Sequence, residues 1–134
     1  MNNLVLVSHG NFCTELKASA EMIMGEQKKI YTIPLLAEEG EKEFLAKFEA
    51  STQSLDDFIV FSDLLGGTPC NILSKKIMNG ASFELYAGMN LPMVISFVNA
   101  SMLGSESDFV AEAKENTVKV NELLTADAFD EEDE

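Results

Sequence analysis

The stretch Leu4-Val5-Leu6-Val7-Ser8-His9-Gly10-Asn11 constrains what this chain can fold into more than any other. Four consecutive apolar residues of strand-forming type leave no polar face, so the strand they make has to be buried on both sides. Strands of that kind belong to parallel sheets covered by helices. The run ends in the only histidine of the chain, followed at once by a glycine and a helix-capping asparagine. Reactive groups in open α/β sheets stand just beyond the carboxyl ends of the strands, which makes His9 a candidate and not an incidental polar residue.

The rest of the chain continues the alternation. Asn11 is expected to cap a helix from Phe12 to about Met24, with Leu16, Ala20, Ile23 and Met24 at helical spacing and Gly25 as its stop. Lys29 to Pro34 reads as a short strand ended by its proline, and Glu39 to Gln53 as a second helix. Asp57-Phe58-Ile59-Val60-Phe61-Ser62 is the strongest strand signal. It breaks into Asp63-Leu64-Leu65-Gly66-Gly67-Thr68-Pro69, where Thr68 is the expected hydroxyl cap of a helix running to Met78. Ser82 to Ala87 follows as a strand, then a helix opened by Pro92 and a last one from Glu106 to Glu115. Thr117 to Leu123 alternates β-branched with polar residues; it suits an edge strand, with a continued helix as the other reading. Domain bounds of 1–124 and 125–134 follow, because six acids in the last eight residues predict a disordered tail.

Strands alternating with helices imply an open, mainly parallel sheet with helices on both faces. Right-handed crossovers favour the order 2-1-3-4, with the topological switch between strands 1 and 3. Neighbouring strands lie about 4.8 Å apart, which brings His9 and Asp63 within reach of each other.

Composition narrows the function. A length of 134 residues with 46% hydrophobic content fits one globular domain. No apolar run approaches the roughly 20 residues that span a bilayer, and the start lacks a charged leader, so a cytoplasmic protein is expected. Nine lysines, no arginine and a net charge of −14 argue against nucleic acid as a partner. Without arginine, a phosphate must be held by backbone amides, hydroxyls, lysine or a partner protein. Cys13 and Cys70 form no disulfide framework, and with one histidine no metal or other cofactor is expected.

A histidine beside an aspartate, flanked by a glycine loop and two helix amino ends, has a definite chemistry. Aspartate on one ring nitrogen fixes the tautomer that exposes the other as a nucleophile. Amides at the helix starts after Gly10 and Gly67 stabilise an anion, and the glycines let backbone approach it. Together these describe phosphoryl transfer through a phosphohistidine. The elbow GxSxG, the P-loop GxxxxGK[ST] and the dinucleotide GxGxxG are all absent.

From Leu4 to about Leu123 the chain resembles the enzyme IIA components of the mannose family of the bacterial sugar phosphotransferase system. The resemblance is carried by Ser8-His9-Gly10, Met24-Gly25-Glu26-Gln27, Asp63-Leu64-Leu65-Gly66-Gly67-Thr68-Pro69 with Asn71, and Ala87-Gly88-Met89-Asn90-Leu91-Pro92. It implies that His9 accepts a phosphoryl group from the carrier HPr and passes it to a histidine of enzyme IIB. Enzyme IIB then phosphorylates sugar entering through the membrane components IIC and IID. It implies that Asp63 orients His9, and that Thr68 stands where the family has a small hydroxyl residue. Gly10, Gly67 and Thr68 are the expected phosphate-binding residues. It further implies a homodimer exchanging an antiparallel carboxyl-terminal edge strand, here Thr117 to Leu123, over an interface on the order of 2,000 Å². Enzyme IIB is expected as a separate chain. The alternatives are the phosphoryl-donor subunit of a dihydroxyacetone kinase, or a regulatory α/β module in which His9 is a passive pocket residue.

Overall fold

The structure, a computed structural model, describes residues 3–124. Strands β1 (Leu4–His9), β2 (Ile30–Leu35), β3 (Ile59–Ser62) and β4 (Glu84–Ala87) alternate with helices α1 (Phe12–Met24), α2 (Glu41–Thr52), α3 (Thr68–Met78) and α4 (Leu91–Leu103). Helix α5 (Phe109–Glu115) follows. The strands are parallel, in the anticipated order β2-β1-β3-β4. The expected acidic tail and the 125–134 segment lie outside the described residues.

Side-chain alternation along the central strands supplies two cores. Leu4, Leu6, Ile59 and Phe61 pack with Leu16 and Ala20 of α1, Val94 and Phe97 of α4, and Phe109 of α5. Val5, Val7 and Val60 pack on the other face with Phe44 and Phe48 of α2 and with Ile72 and Leu73 of α3. Residues Leu4 to Ser8 have no exposed surface, as an apolar central strand requires. Phe44 and Phe48 are the largest side chains enclosed under α2; each contributes about 1.5–3 kcal/mol by burial.

Several boundaries move for identifiable reasons. Asn11 stands at the cap position of α1 but makes no side-chain cap bond. Ser8 does so instead: its Oγ accepts from the Cys13 amide at 2.8 Å and donates to the Gly10 carbonyl at 2.8 Å. Pro34 does not end β2 but lies inside it, paired with Ser8. It is tolerated because β2 is an edge strand, where a missing amide costs no ladder bond on the open side. Gly67, not Thr68, is the cap residue of α3, leaving Thr68 in the first turn with Pro69. Helix α5 starts at Phe109 rather than Glu106 because Asp108 Oδ1 accepts the Ala111 amide at 3.1 Å.

The carboxyl-terminal strand expected at Thr117–Leu123 is not formed within the chain. Residues 117–119 are irregular, and Val120–Leu123 makes one 3-10 turn closed by the Glu122 amide on the Lys119 carbonyl at 3.0 Å. A strand needs a ladder beside it, and a segment without one meets its amides locally. Val118, Val120, Leu123 and Leu124 are all exposed. Among the described residues no helix is long and apolar enough to cross a membrane.

Candidate functional site

Strands β1 and β3 are neighbours, with Val7 opposite Ser62, so their carboxyl ends emerge side by side. His9 is the last residue of β1, and Asp63 follows the last residue of β3. One carboxylate oxygen, Asp63 Oδ2, accepts from the His9 backbone amide at 2.9 Å and lies 2.8 Å from His9 Nδ1. With Nδ1–H donating to Asp63, the lone pair of the neutral ring is on Nε2. The His9 side chain is 47% exposed and that of Asp63 13% exposed, so the acid is set back behind an accessible imidazole. The other carboxylate oxygen, Oδ1, is buried without a hydrogen-bond partner, as is the Ser62 hydroxyl beneath it in sequence.

The glycine-rich loop closes against the ring. Gly66 takes φ +83°, a left-handed conformation that only glycine adopts without strain. The Asn71 side chain donates to the Gly66 carbonyl at 3.0 Å, and the Asn71 amide bonds to the Gly67 carbonyl at 2.9 Å. Gly67 lies directly against the edge of the imidazole. Its own amide donates to the Leu64 carbonyl at 3.0 Å. The Gly10 amide likewise donates to the Leu35 carbonyl at 2.7 Å. Both glycines shape the loops, but neither amide is open. Thr68 presents an exposed side chain at the amino end of α3, the terminus beside His9. That terminus carries the positive end of the helix dipole.

His9, Asp63, Gly67 and Thr68 are therefore gathered at one point, and Gly10 supports it from the β1 side. Ser8 and Asn71, which the sequence offered only as part of the resemblance and without a role, also hold this arrangement. The signal for Ser8 was a lone hydroxyl in an apolar strand directly before the histidine. Clefts between α4 and α5 and beside β4 are lined by other residues. His9 is itself exposed, as are Phe12 at the start of α1 and Leu64 and Leu65 on the loop after β3. An exposed nucleophile on loops that also expose large apolar side chains suits a macromolecular partner better than a small enclosed ligand.

The sequence model of the family described as the PTS system fructose IIA component matches residues 3–114. The chain belongs to that family. This IIA chain is 26% identical over 132 residues to the sorbose-specific EIIA component of Lacticaseibacillus casei, covering 93% of this chain and 95% of that one. It is 29% identical over 100 residues to the mannose-specific EIIAB component of Escherichia coli K12, covering 72% of this chain and 31% of the relative. It thus spans about a third of the length of the EIIAB relatives it matches. Among solved structures, the PTS IIA protein associated with the fucose utilization operon of Streptococcus pneumoniae superposes with a TM-score of 0.81. That structure is 26% identical, and the match covers 92% of this IIA chain and 96% of the other.

Proposed function

We propose that this protein is a phosphohistidine carrier of a sugar phosphotransferase system, taking a phosphoryl group from phospho-HPr onto His9 and delivering it to a separate enzyme IIB. The observation that carries the reading is the pair His9–Asp63, in which Nδ1 is engaged and Nε2 is presented at the surface. In the first step the Nε2 lone pair attacks phosphorus. A new N–P bond forms as the N–P bond of the HPr phosphohistidine breaks, and the HPr imidazole leaves. Asp63 keeps the proton on Nδ1 and offsets the positive charge that the ring gains. The second transfer reverses these roles, with a histidine of enzyme IIB as the nucleophile.

The phosphoryl oxygens would meet the amino end of α3 and the Thr68 hydroxyl, since the Gly10 and Gly67 amides are engaged. Enzyme IIB would hand the group to sugar entering through membrane components IIC and IID, which places this carrier at the cytoplasmic side. The exposed apolar residues after α5, together with the unpaired edge of β4, fit a homodimer in which that edge is covered by a second copy. Sedimentation at micromolar concentration checks the assembly, and a monomer would end that part of the reading.

Incubation with phosphoenolpyruvate, enzyme I and HPr, followed by intact mass, tests the carrier function. One acid-labile phosphoryl group per chain is expected, absent in His9→Ala. Labelling that persists in His9→Ala, or a wild-type chain that takes no phosphoryl group, would overturn it.

A further inference from the structure

We infer that Gly67 is a positioning residue, whose missing side chain makes the space in which the His9 imidazole lies with Nε2 presented and Nδ1 on Asp63. The inference rests on the reading of His9 as the phosphoryl acceptor.

The backbone does not require glycine at this position. Gly67 has φ −78° and ψ 164°, extended values that any residue adopts. Its neighbour is the opposite case: Gly66 has φ +83°, and a Cβ built there meets nothing within 4 Å. At Gly67 a Cβ would stand 2.7 Å from His9 Cε1, 3.4 Å from Nε2 and 3.2 Å from the Leu64 carbonyl oxygen. Adjacent glycines thus serve different ends, one a turn and the other a ring.

Cε1 lies between the two ring nitrogens, so the Gly67 backbone abuts the edge through which His9 does its chemistry. Gly67 is anchored, its amide on Leu64 and its carbonyl under the Asn71 amide. The ring is what can yield, being the end of a half-exposed side chain. A methyl group at 67 would turn it outward, break the 2.8 Å contact between Nδ1 and Asp63 Oδ2, and redirect the Nε2 lone pair. Phosphoryl transfer needs that lone pair in line with the breaking N–P bond of the donor, so a small rotation is costly to the rate and cheap to the fold.

His9 is the only histidine, so one imidazole signal reports the site. In ¹⁵N spectra the wild-type neutral ring should show a protonated Nδ1 and a bare Nε2, and Gly67→Ala should show the two tautomers mixed. Transfer from phospho-HPr should lose about ten- to a hundredfold in kcat with little change in KM. Any fall in Tm caused by Gly67→Ala should shrink when the same change is made in a His9→Ala background, where the ring is gone. A wild-type ring signature in Gly67→Ala would overturn the inference, as would a Tm loss of equal size without His9. The spectra and the Tm comparison do not depend on phosphorylation. A wild-type chain that accepts no phosphoryl group would therefore count against the carrier reading and leave the contact between Gly67 and His9 to be judged separately.

Discussion

A single oxygen of Asp63 holds His9 at two points, the backbone amide at 2.9 Å and the ring nitrogen Nδ1 at 2.8 Å. The same contact joins the ends of β1 and β3 and sets the tautomer of the only imidazole in the chain. Structure and chemistry are coupled there, and a change at Asp63 should be visible in both.

Asp63→Asn should fold with stability lower by about 1–3 kcal/mol, because an amide group placed where Oδ1 is buried finds no partner. It should slow phosphoryl transfer by about two orders of magnitude or more, since an amide neither enforces the tautomer nor stabilises positive charge on the ring. Urea titration reads the first effect and stopped-flow transfer from phospho-HPr the second. Unchanged transfer would remove Asp63 from the site.

Ser8→Ala should cost about 1–3 kcal/mol, since the fully buried hydroxyl bonds both the Cys13 amide and the Gly10 carbonyl. Asn11→Ala should stay within about 0.5 kcal/mol of wild type, because its side chain caps nothing. Chemical denaturation of the two variants side by side tests the reassigned cap, and equal losses would contradict it.

The Lys47 ammonium donates to Glu39 Oε1 at 2.6 Å and to the Pro34 carbonyl at 2.5 Å, tying α2 to the end of edge strand β2. The hydrogen bond from Lys47, then that from the Leu36 amide, holds the Glu39 carboxyl below its ordinary value of 4.5. A carboxyl depressed on folding stabilises the native state above its unfolded pKa, and that contribution is lost as pH falls through the folded value. Tm should therefore decline as pH drops below about 4.5, and the decline should be shallower in Lys47→Met. Parallel acid profiles in the two proteins would show that the pair contributes nothing.

Cys13 has no exposed surface and Cys70 has 3%, and burial raises the Cys13 thiol above its ordinary pKa. Both thiols should react with Ellman's reagent at pH 8 far more slowly in the native protein than in denaturant, where two equivalents appear. Fast native labelling of Cys13 would mean that α1 opens readily from β1.

Association with HPr should slow as ionic strength rises. The chain carries a net charge of −14 and no arginine, so the partner has to bring the cations that meet the phosphoryl group. Stopped-flow association across a salt series measures this, and a flat on-rate would show that apolar contacts such as those of Leu64 and Leu65 dominate the encounter.

The order of elements and the topology were legible because they rest on local facts. The apolar runs at Leu4–Val7 and Phe58–Phe61 admit only a doubly covered sheet, and short crossovers then leave few strand orders. The closeness of His9 and Asp63 was legible for the same reason, since each stands one serine beyond the end of such a run.

What escaped a reading along the chain depends on which atoms meet across it. Asn11 and Thr68 have the chemistry of caps, yet Ser8 bonds the start of α1 and the Gly67 backbone opens α3. The choice belongs to the loop path between strand and helix and not to the residue type. Gly10 and Gly67 were expected among the phosphate-binding residues, and residue type gave no sign that their own amides would be taken by a carbonyl from β2 and one from the loop. The carboxyl-terminal segment has strand-like residues and no ladder beside it within the chain, so its local 3-10 bonds prevail. Pattern and propensity act between neighbours in sequence and are complete once the residues are written. A hydrogen-bond donor takes whichever acceptor the packed fold brings nearest, and that only the tertiary structure decided.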